Sequence, residues 1–361
     1  MTAEVDLQFM QAALELAAGA RFISHPNPNV GCVLVKDGQV VGRGATGRVG
    51  EAHAEAGALE DAGERAYGAT AYVTLEPCSH YGRTPPCAQA LIDAGVLRVV
   101  AAALDPNPLV SGKGLAMLTS AGIETSHGLC AEESRWLLRG FMSRMERGRP
   151  WVRAKVATSI DGRTAMANGE SQWITGSAAR RDGQFCRAES DCVLTGIGTI
   201  LDDNPTLNVR LSPDDLSIEG KVRQPMRALM DTRARLPMAC QWLREPGRKR
   251  VYSVFEKSFP DTESVCFKGA ETIDCKRVLI DLAEQEVNFV HLEAGAVLLG
   301  AFLKANLVDE LVVYQAPALL GSEGRPMALI SGLVHISDAL RWRFAEVKTV
   351  GNDLRMVLLR T

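Results

Sequence analysis

One histidine, one glutamate and two cysteines in the first third of this 361-residue chain could perform chemistry together. His53 and Glu55 stand two positions apart, and residues 79–86 separate Cys78 from Cys87. An imidazole and two thiolates suit zinc, and three protein ligands leave the fourth position open to water. Zinc lowers the pKa of such a water from 15.7 to about 7. These residues predict a catalytic zinc site in which Glu55 carries protons between the water and a leaving amine.

Two other interpretations remain open on this chemistry alone. A closed structural zinc site needs a fourth ligand, and His80 is the candidate. Alternatively, two cysteines this far apart could be buried apolar residues that bind no metal. Glu55 favours the catalytic interpretation, because a structural site does not require a carboxylate.

Zinc deaminases that act on cytosine and adenine share a general sequence pattern, H-x-E followed by P-C-x-x-C. The chain matches the first half of this pattern at His53 and Glu55. It departs in the second half, where eight residues rather than two separate Cys78 from Cys87.

Two segments rich in glycine stand out in the second half of the chain. Gly196 and Gly198 follow a predicted strand, and the segment from Glu293 to Gly300 follows another and opens a predicted helix. Glycine lets a phosphate approach the backbone closely, and helix N-termini bind phosphate. The third glycine and the acidic residue of a dinucleotide fingerprint are missing, so packing glycines at strand-to-helix turns are the alternative.

Strands alternate with helices on both sides of Gly148-Arg149-Pro150, which follows the charged end of a predicted helix over 131–147. A new strand begins directly afterwards, over 151–157. We therefore predict two α/β domains, 1–147 and 148–361. The polar segment 211–224 is expected to be a surface loop, and the last 20 or so residues are expected to form two strands.

Composition excludes several classes of protein. The 40 basic and 43 acidic residues nearly cancel, which argues against a dedicated nucleic-acid-binding protein. The longest run without Asp, Glu, Lys or Arg, 22–35, is shorter than the ~18 apolar residues of a membrane span. No targeting signal is visible, and nine scattered cysteines favour a reducing, cytoplasmic location over a disulfide framework.

Several segments of the chain also resemble those of a known enzyme family. The segment 74–87, TLEPCSHYGRTPPC, resembles the signature of the bifunctional deaminase/reductases of riboflavin biosynthesis, and the long cysteine spacing is that family's own. The segments 26–31, 53–55 and 105–108 are also similar to that family. The resemblance implies an N-terminal cytidine-deaminase-like three-layer αβα domain with one zinc ion per chain.

The same resemblance assigns roles in the first domain. It implies zinc on His53, Cys78 and Cys87, with Glu55 as the catalytic proton shuttle. The implied substrate is 2,5-diamino-6-(5-phosphoribosylamino)pyrimidin-4-one, which would lose ammonia. The residues expected to bind it are Asn27 near the pyrimidine, and His80 and Arg83 near the ribose phosphate. A guanidinium such as that of Arg83 suits phosphate oxygens.

From residue 155 onwards the chain resembles the reductase half of the same family, whose fold is similar to dihydrofolate reductase. This implies an α/β domain that uses NADPH to reduce the ribosyl side chain to ribityl. The cofactor-binding positions implied are Ala157, Trp173, Thr199, Asp203, Thr232, Gly295, Ala296, Val297, Leu298, Leu299, Gly300 and Ala301. The substrate-binding positions implied are Ser171, Arg187, Leu207, Arg210 and Glu293. No basic residue is thereby assigned to the 2′-phosphate that distinguishes NADPH from NADH.

Rival hypotheses differ in testable ways. A deaminase that edits tRNA would usually carry a basic net charge and have its two cysteines separated by two residues. A non-enzymatic zinc scaffold would lose its metal when Glu55 is replaced. A deaminase whose second half is inactive would not oxidise NADPH. We expect small-molecule substrates, no nucleic-acid or membrane partner, and assembly into a homo-oligomer, a dimer or a tetramer.

Overall fold

The computed structural model describes residues 3–79, 86–108 and 110–361. The chain divides into two compact units, Met1–Gly148 and Arg149–Thr361. Among the described residues, no helix is both long enough and apolar enough to cross a membrane.

The described residues of the first unit form a five-stranded sheet and six α-helices. Its elements are α1 (Ala3–Ala20), β1 (Gly31–Lys36), β2 (Gln39–Ala45), α2 (Ala54–Ala62), β3 (Thr70–Leu75), α3 (Cys87–Asp93), β4 (Arg98–Ala103), α4 (Lys113–Ser120), β5 (Glu124–His127), α5 (Ala131–Leu137) and α6 (Arg139–Arg147). A short 3-10 turn, Gly63–Ala66, follows α2. The strand order is β2-β1-β3-β4-β5. Strands β3, β4 and β5 are parallel, whereas β1 is antiparallel to both of its neighbours.

Alternation along the strands explains why helices cover both faces of this sheet. Leu34 and Ala71 point to one face, where they pack in a buried cluster with residues of α2, α3, α4 and α6. Val33 and Tyr72 point to the other face and pack with α1. Because successive strand residues face opposite sides, the apolar strands require cover on both sides. The expected three-layer αβα arrangement is confirmed.

The expected single helix over 131–147 is instead two helices, α5 and α6, with Leu138 between them. The guanidinium of Arg139 donates to the carbonyl of Trp136 at 3.0 Å, which satisfies one of the last carbonyls of α5. Leu138 itself is buried in the core.

The second unit is built on a nine-stranded sheet. Its elements are β6 (Trp151–Thr158), β7 (Arg163–Ala165), α7 (Ser177–Glu189), β8 (Cys192–Gly196), α8 (Ile197–Asp203), α9 (Pro213–Leu216), β9 (Met226–Met230), α10 (Gln241–Arg244), β10 (Lys249–Ser253), β11 (Glu263–Cys266), α11 (Cys275–Glu284), β12 (Phe289–Leu292), α12 (Ala296–Lys304), β13 (Glu310–Gln315), β14 (Arg325–Pro326), β15 (Trp342–Val350) and β16 (Asp353–Arg360). A 3-10 turn, Ile336–Asp338, precedes β15.

The order of the nine strands is β11-β10-β9-β8-β12-β6-β13-β16-β15, and β7 pairs separately with β14. All ladders from β11 to β13 are parallel, and β16 and β15 add an antiparallel hairpin at one edge. This hairpin confirms the two closing strands predicted from the sequence. The carboxyl ends of the parallel strands meet at one edge of the sheet, which is where ligands bind in such folds.

Helices cover both faces of this sheet as well. Val152 and Val290 pack with Val278 of α11 and Phe302 of α12 in the largest buried cluster of the unit. On the opposite face, α7 packs on β13 and β16, and α10 packs on β8, β9 and β10. The predicted mixed α/β architecture of both halves is confirmed.

Candidate functional site

The first candidate site forms where three loops meet at the carboxyl end of β3. His53 directly precedes α2, Cys78 follows β3 after two residues, and Cys87 is the first residue of α3. The peptide N–H of Cys87 donates to Sγ of Cys78 at 3.2 Å, and the N–H of Ala88 donates to the Cys78 carbonyl at 3.1 Å. These bonds attach the start of α3 to the end of the β3 loop.

The three side chains converge on one point. Nδ1 of His53 lies 3.3 Å from Sγ of Cys87 and 3.9 Å from Sγ of Cys78. All three ligand atoms lie within 4.8 Å of one another. Bonds of about 2.3 Å to sulfur and 2.0 Å to nitrogen, at tetrahedral angles, require separations of about 3.5 Å. The donor set and its spacing therefore fit one zinc ion.

The electrostatics of the two thiols differ. The hydrogen bond from the Cys87 thiol lowers the pKa of Cys78 to about 4, although partial burial opposes this. The hydrogen bond to Cys78 raises the pKa of Cys87, and burial raises it further. A hydrogen bond with Sγ of Cys78 also raises the pKa of His53. A thiolate is thus already favoured at Cys78, which is the form that binds zinc.

Glu55 lies in the first turn of α2, next to this group but outside the set of three ligand side chains. It is buried, and burial together with the negative charge of Cys78 raises its pKa to about 7. A carboxyl group with a pKa near neutrality can both accept and donate a proton under physiological conditions.

A second buried carboxylate, Glu76, was not assigned a role from the sequence. Its oxygens accept the peptide N–H groups of Gly112 and Gly114 at 2.9 Å, and those of Asp105 and Leu115 at 3.3 Å. Glu76 therefore holds the loop after β4 and the start of α4 against the loop that carries Cys78. The motif Glu-Pro-Cys was visible in the sequence, but nothing in it indicated these distant partners.

Asn27 lies half-buried in the loop between α1 and β1. Gly31 pairs beside Thr74 at the end of β3, its N–H bonded to Oγ1 of Thr74 at 3.1 Å, so this loop reaches the same sheet edge as Cys78. His80 and Arg83, also predicted to bind substrate, lie outside the described residues.

The second candidate site is a cavity of about 920 Å³ at the carboxyl edge of the nine-stranded sheet. That volume is in the range of pockets that hold a cofactor or a drug-sized ligand, about 300–1,000 Å³. The cavity brings together eleven residues named from the sequence. They are Ala157, Ser171, Thr199, Asp203, Thr232, Glu293, Gly295, Ala296, Val297, Leu298 and Ala301.

Several other predicted residues lie outside the cavity wall. Leu299 is buried in the core, and Gly300 packs against the backbone of Leu329, because alternate faces of α12 point away from the cavity. Trp173 is 66% exposed and stacks on the guanidinium of Arg180 at 4.3 Å. Leu207 is buried in the cluster that also contains residues of α8.

Glu293 lines the cavity, whereas its ion-pair partner Arg187 and the predicted residue Arg210 are not among the lining residues. The guanidinium of Arg187 binds both oxygens of the Glu293 carboxylate, and Nε2 of His291 lies 3.2 Å from Oε1 of Glu293. Although burial opposes the shift, the charge of Arg187 holds the pKa of Glu293 well below its usual value. Burial and the charge of Arg187 lower the pKa of Arg210, which places Arg210 in the same electrostatic environment. The sequence had named Arg187 and Glu293 separately but not their pairing.

Two family models match the chain. Residues 3–103 match the cytidine and deoxycytidylate deaminase zinc-binding region, and residues 150–356 match the RibD C-terminal domain. The first match covers the loops that carry His53, Cys78 and Cys87. The second covers the nine-stranded sheet and its cavity.

Relatives match over nearly their whole length. The riboflavin biosynthesis protein RibD of Escherichia coli strain K12 is 48% identical over 98% of this chain and 99% of its own. The structure is similar to that of Acinetobacter baumannii RibD, with a TM-score of 0.92, 44% identity and 99% of each chain covered. It is also similar to a Thermotoga maritima diaminohydroxyphosphoribosylaminopyrimidine deaminase/5-amino-6-(5-phosphoribosylamino)uracil reductase, with a TM-score of 0.88, 31% identity and 99% of each chain covered.

Proposed function

The chain belongs to the RibD family of bifunctional riboflavin-biosynthesis enzymes, and from that membership we propose what each of its two sites does. The first unit deaminates 2,5-diamino-6-(5-phosphoribosylamino)pyrimidin-4-one by hydrolysis: water adds to the amine-bearing carbon and ammonia leaves. The second unit then reduces the ribosyl side chain of the deaminated product to ribityl. The convergence of His53, Cys78 and Cys87 beside the buried Glu55 is the observation that carries the first assignment.

In the first unit, His53, Cys78 and Cys87 would hold zinc, whose Lewis acidity lowers the pKa of a water molecule when the ion is bound. Glu55 accepts a proton from the attacking water and delivers it to the leaving amine. Its burial supports this role, because a carboxyl group with a pKa of about 7 can complete both transfers at neutral pH. Glu76 keeps the ligand loop in place through the four hydrogen bonds that its carboxylate accepts from peptide N–H groups.

Substrate recognition in the first unit falls to the loop between α1 and β1 and to the segment after Cys78. We assign the pyrimidine to Asn27, because its loop lies at the same sheet edge as Cys78. His80 and Arg83 stay predictions for the ribose phosphate.

In the second unit, NADPH would lie in the cavity of about 920 Å³. The N-terminus of α12, which begins after Gly295 and lines the cavity, is suited to the pyrophosphate, since its free N–H groups and dipole favour anions. Thr199, Asp203 and Thr232 line the wall on the side of β8 and β9. NADPH held there would supply a hydride to the anomeric carbon of the ribose and become NADP⁺, while the bond from that carbon to the ring oxygen breaks and the oxygen takes up a proton.

The substrate of this second step would bind beside the cofactor, near Arg187, Glu293 and Arg210. Glu293 can accept hydrogen bonds from ribose hydroxyls, and Arg210 offers a guanidinium for the phosphate. Ser171 supports this placement, because its hydroxyl donates to Asp203 at 3.2 Å and so joins the substrate side to the cofactor side. Leu207 supplies buried apolar support.

We further propose that the chain forms a homo-oligomer through its second unit. Exposed large apolar residues concentrate between residues 319 and 347, including Ile336 at 83%, Phe344 at 62% and Val347 at 52% exposure. Strand β15 is also an edge strand of the nine-stranded sheet. A second copy of the chain can cover such a surface symmetrically.

A cytoplasmic location fits the site, because zinc binding needs Cys78 and Cys87 as reduced thiols.

The experiment that tests this function follows ammonia release and NADPH oxidation separately in the full-length enzyme. We expect ammonia from the diaminopyrimidinone without NADPH, and NADPH oxidation only with the deaminated intermediate. Absence of ammonia release by zinc-loaded enzyme would contradict the deaminase assignment. Deamination without any NADPH oxidation would show that the second unit is not a reductase.

A further inference from the structure

We infer that Arg233 and Arg235, in the loop after β9, bind the 2′-phosphate of NADPH and make the second unit selective for NADPH over NADH. This inference rests on the proposed reductase function and adds to it a specificity determinant. It arises from the charges that line the cavity and from the order of the strands beneath it.

The cations around the cavity fall into two groups. Arg325 forms an ion pair with Asp202 at 2.7 Å, and Lys155 lies on β6 with its amine 5.8 Å from the ring centre of Tyr314. Arg233 and Arg235 are exposed, line the cavity, and have no ion-pair partner among the described residues. They are therefore available to bind an anion that enters from solvent.

The anions of the cavity wall already have partners. Asp202 binds Arg325, Asp203 accepts from Ser171, and Glu293 binds Arg187. The two unpaired guanidinium groups thus leave an excess of positive charge at one end of the cavity. A dianionic phosphate is the part of a nicotinamide dinucleotide that would neutralise it, because guanidinium groups form paired hydrogen bonds with phosphate oxygens.

The strand order places this end where the 2′-phosphate would lie. The cavity is bordered by residues that follow β9, β8 and β12 and by residues of β6, and these four strands are consecutive in the sheet. The pyrophosphate site at α12 follows β12, and the substrate residue Glu293 lies beside it. The adenosine half of NADPH would therefore extend towards β9, which lies two strand spacings, about 10 Å, from β12. The nicotinamide would extend towards β6.

The loop after β9 has a defined shape that holds both arginines. The carbonyl of Asp231 accepts the N–H of Ala234 at 3.0 Å, and its Oδ2 accepts the N–H of Leu236 at 2.8 Å. Ala234 has a φ of 51°, in the left-handed region, and its carbonyl accepts from Nζ of Lys257 at 2.9 Å. Arg233 and Arg235 flank this turn, so their backbone positions are fixed before any ligand binds.

The test compares ligands with and without the 2′-phosphate on the full-length enzyme. Arg233→Gln, Arg235→Gln and the double variant are titrated calorimetrically with 2′,5′-ADP and with 5′-AMP. Each guanidinium should contribute about tenfold to the affinity for 2′,5′-ADP, as charged hydrogen bonds commonly do. Affinity for 5′-AMP should change less than about twofold. Arg244→Gln, which removes an exposed arginine of the same unit outside the cavity wall, is the matched control.

Steady-state kinetics provide the second readout. We expect the double variant to lose kcat/KM for NADPH roughly 100-fold while that for NADH stays nearly constant. Equal losses with both cofactors, or no change with either, would overturn the inference and leave the reductase function in place. A wild-type enzyme that binds neither 2′,5′-ADP nor NADPH would overturn the reductase function and the inference together.

Discussion

The guanidinium of Arg187, on α7, binds both carboxylate oxygens of Glu293, which directly follows β12. The two side chains are only 11% and 15% exposed. Each is therefore the main partner of the other, and a substrate that contacts one of them meets a charge that is already neutralised. This pairing determines what a substitution at either position will do.

Replacing Glu293 by glutamine should destabilise the second unit and impair reduction. Breaking a buried ion pair from one side costs about 3 kcal/mol, since the remaining charge stays buried. Loss of a hydrogen bond to a ribose hydroxyl should also lower reductase kcat/KM roughly 10- to 100-fold. Urea unfolding monitored by tryptophan fluorescence and NADPH oxidation measure the two effects. Glu284→Gln, at an exposed position of α11, is the control, and unchanged stability in Glu293→Gln would contradict the structural role of the pair.

Replacing Glu55 by glutamine should abolish deamination without releasing zinc. The variant keeps the size of the side chain but cannot carry protons, and general acid–base groups contribute about 10²–10⁴-fold to rate. Ammonia release should fall by at least that factor, while metal analysis still finds one zinc per chain. Glu60→Gln, at an exposed position of the same helix, should retain both. Loss of zinc from Glu55→Gln would instead favour a structural metal site.

Replacing Gly114 by alanine should weaken zinc binding from a distance. A Cβ atom there would overlap the carbonyl oxygen of Pro77, the residue before the ligand Cys78, and would also approach Glu76. The Cys78 loop must then shift, and such changes behind a ligand typically cost 10- to 100-fold in metal affinity. Competition with a zinc-binding dye measures this loss. Gly19→Ala, where a Cβ meets nothing within 4 Å, should leave zinc affinity unchanged.

His291 should make the second unit less stable in mild acid. Burial lowers its pKa below 6.5, and the charges of Arg153 and Arg187 act in the same direction, against Glu293. Below about pH 6.5 the unfolded chain therefore binds a proton that the folded chain does not. Stability falls with decreasing pH until the lowered folded pKa is reached, by at most about 1.4 kcal/mol per pH unit. Above about pH 6.5 this residue contributes nothing to the change of stability with pH, because it is neutral in both the folded and the unfolded chain.

Urea unfolding at pH 7.5 and pH 5.5 measures this dependence. The variant His291→Leu should lose part of the difference between the two pH values, whereas His335→Gln, at an exposed histidine of the same unit, should keep it. An unchanged difference in His291→Leu would show that other groups cause the acid sensitivity.

Lysine at Phe344 and Val347 should dissociate the proposed homo-oligomer. Two charges on the exposed edge strand β15 would have to be buried against a second copy, which is strongly unfavourable. Light scattering should find a multiple of 38.9 kDa for the wild type and about one chain mass for the variant. Met238→Lys, at an exposed apolar residue elsewhere in the same unit, is the control. A wild type of one chain mass would refute the proposal directly.

Residues with strong local signals were predictable from the sequence. Buried strands such as β3 and β12 are short apolar runs. One imidazole and two thiols form a donor set that suits zinc, and the structure brings His53, Cys78 and Cys87 together. Strand β11 was missed because its polar sequence, ESVC, pairs only at the sheet edge and is partly exposed.

Long-range polar contacts could not be predicted in this way. Glu76 binds peptide groups 29–39 positions away along the chain, and Arg187 binds Glu293 across 106 positions. Such pairs depend on how the sheet brings loops together, which periodicity does not reveal. The range 295–301 was named as one block, but the helix turns Leu299 and Gly300 away from the cavity.

The peptide N–H groups of Cys87 and Ala88 donate hydrogen bonds to Sγ and to the carbonyl of Cys78, so the loop after β3 and the start of α3 hold each other in place. A substitution that breaks either hydrogen bond should therefore displace both candidate sulfur ligands at once, rather than the one beside it alone.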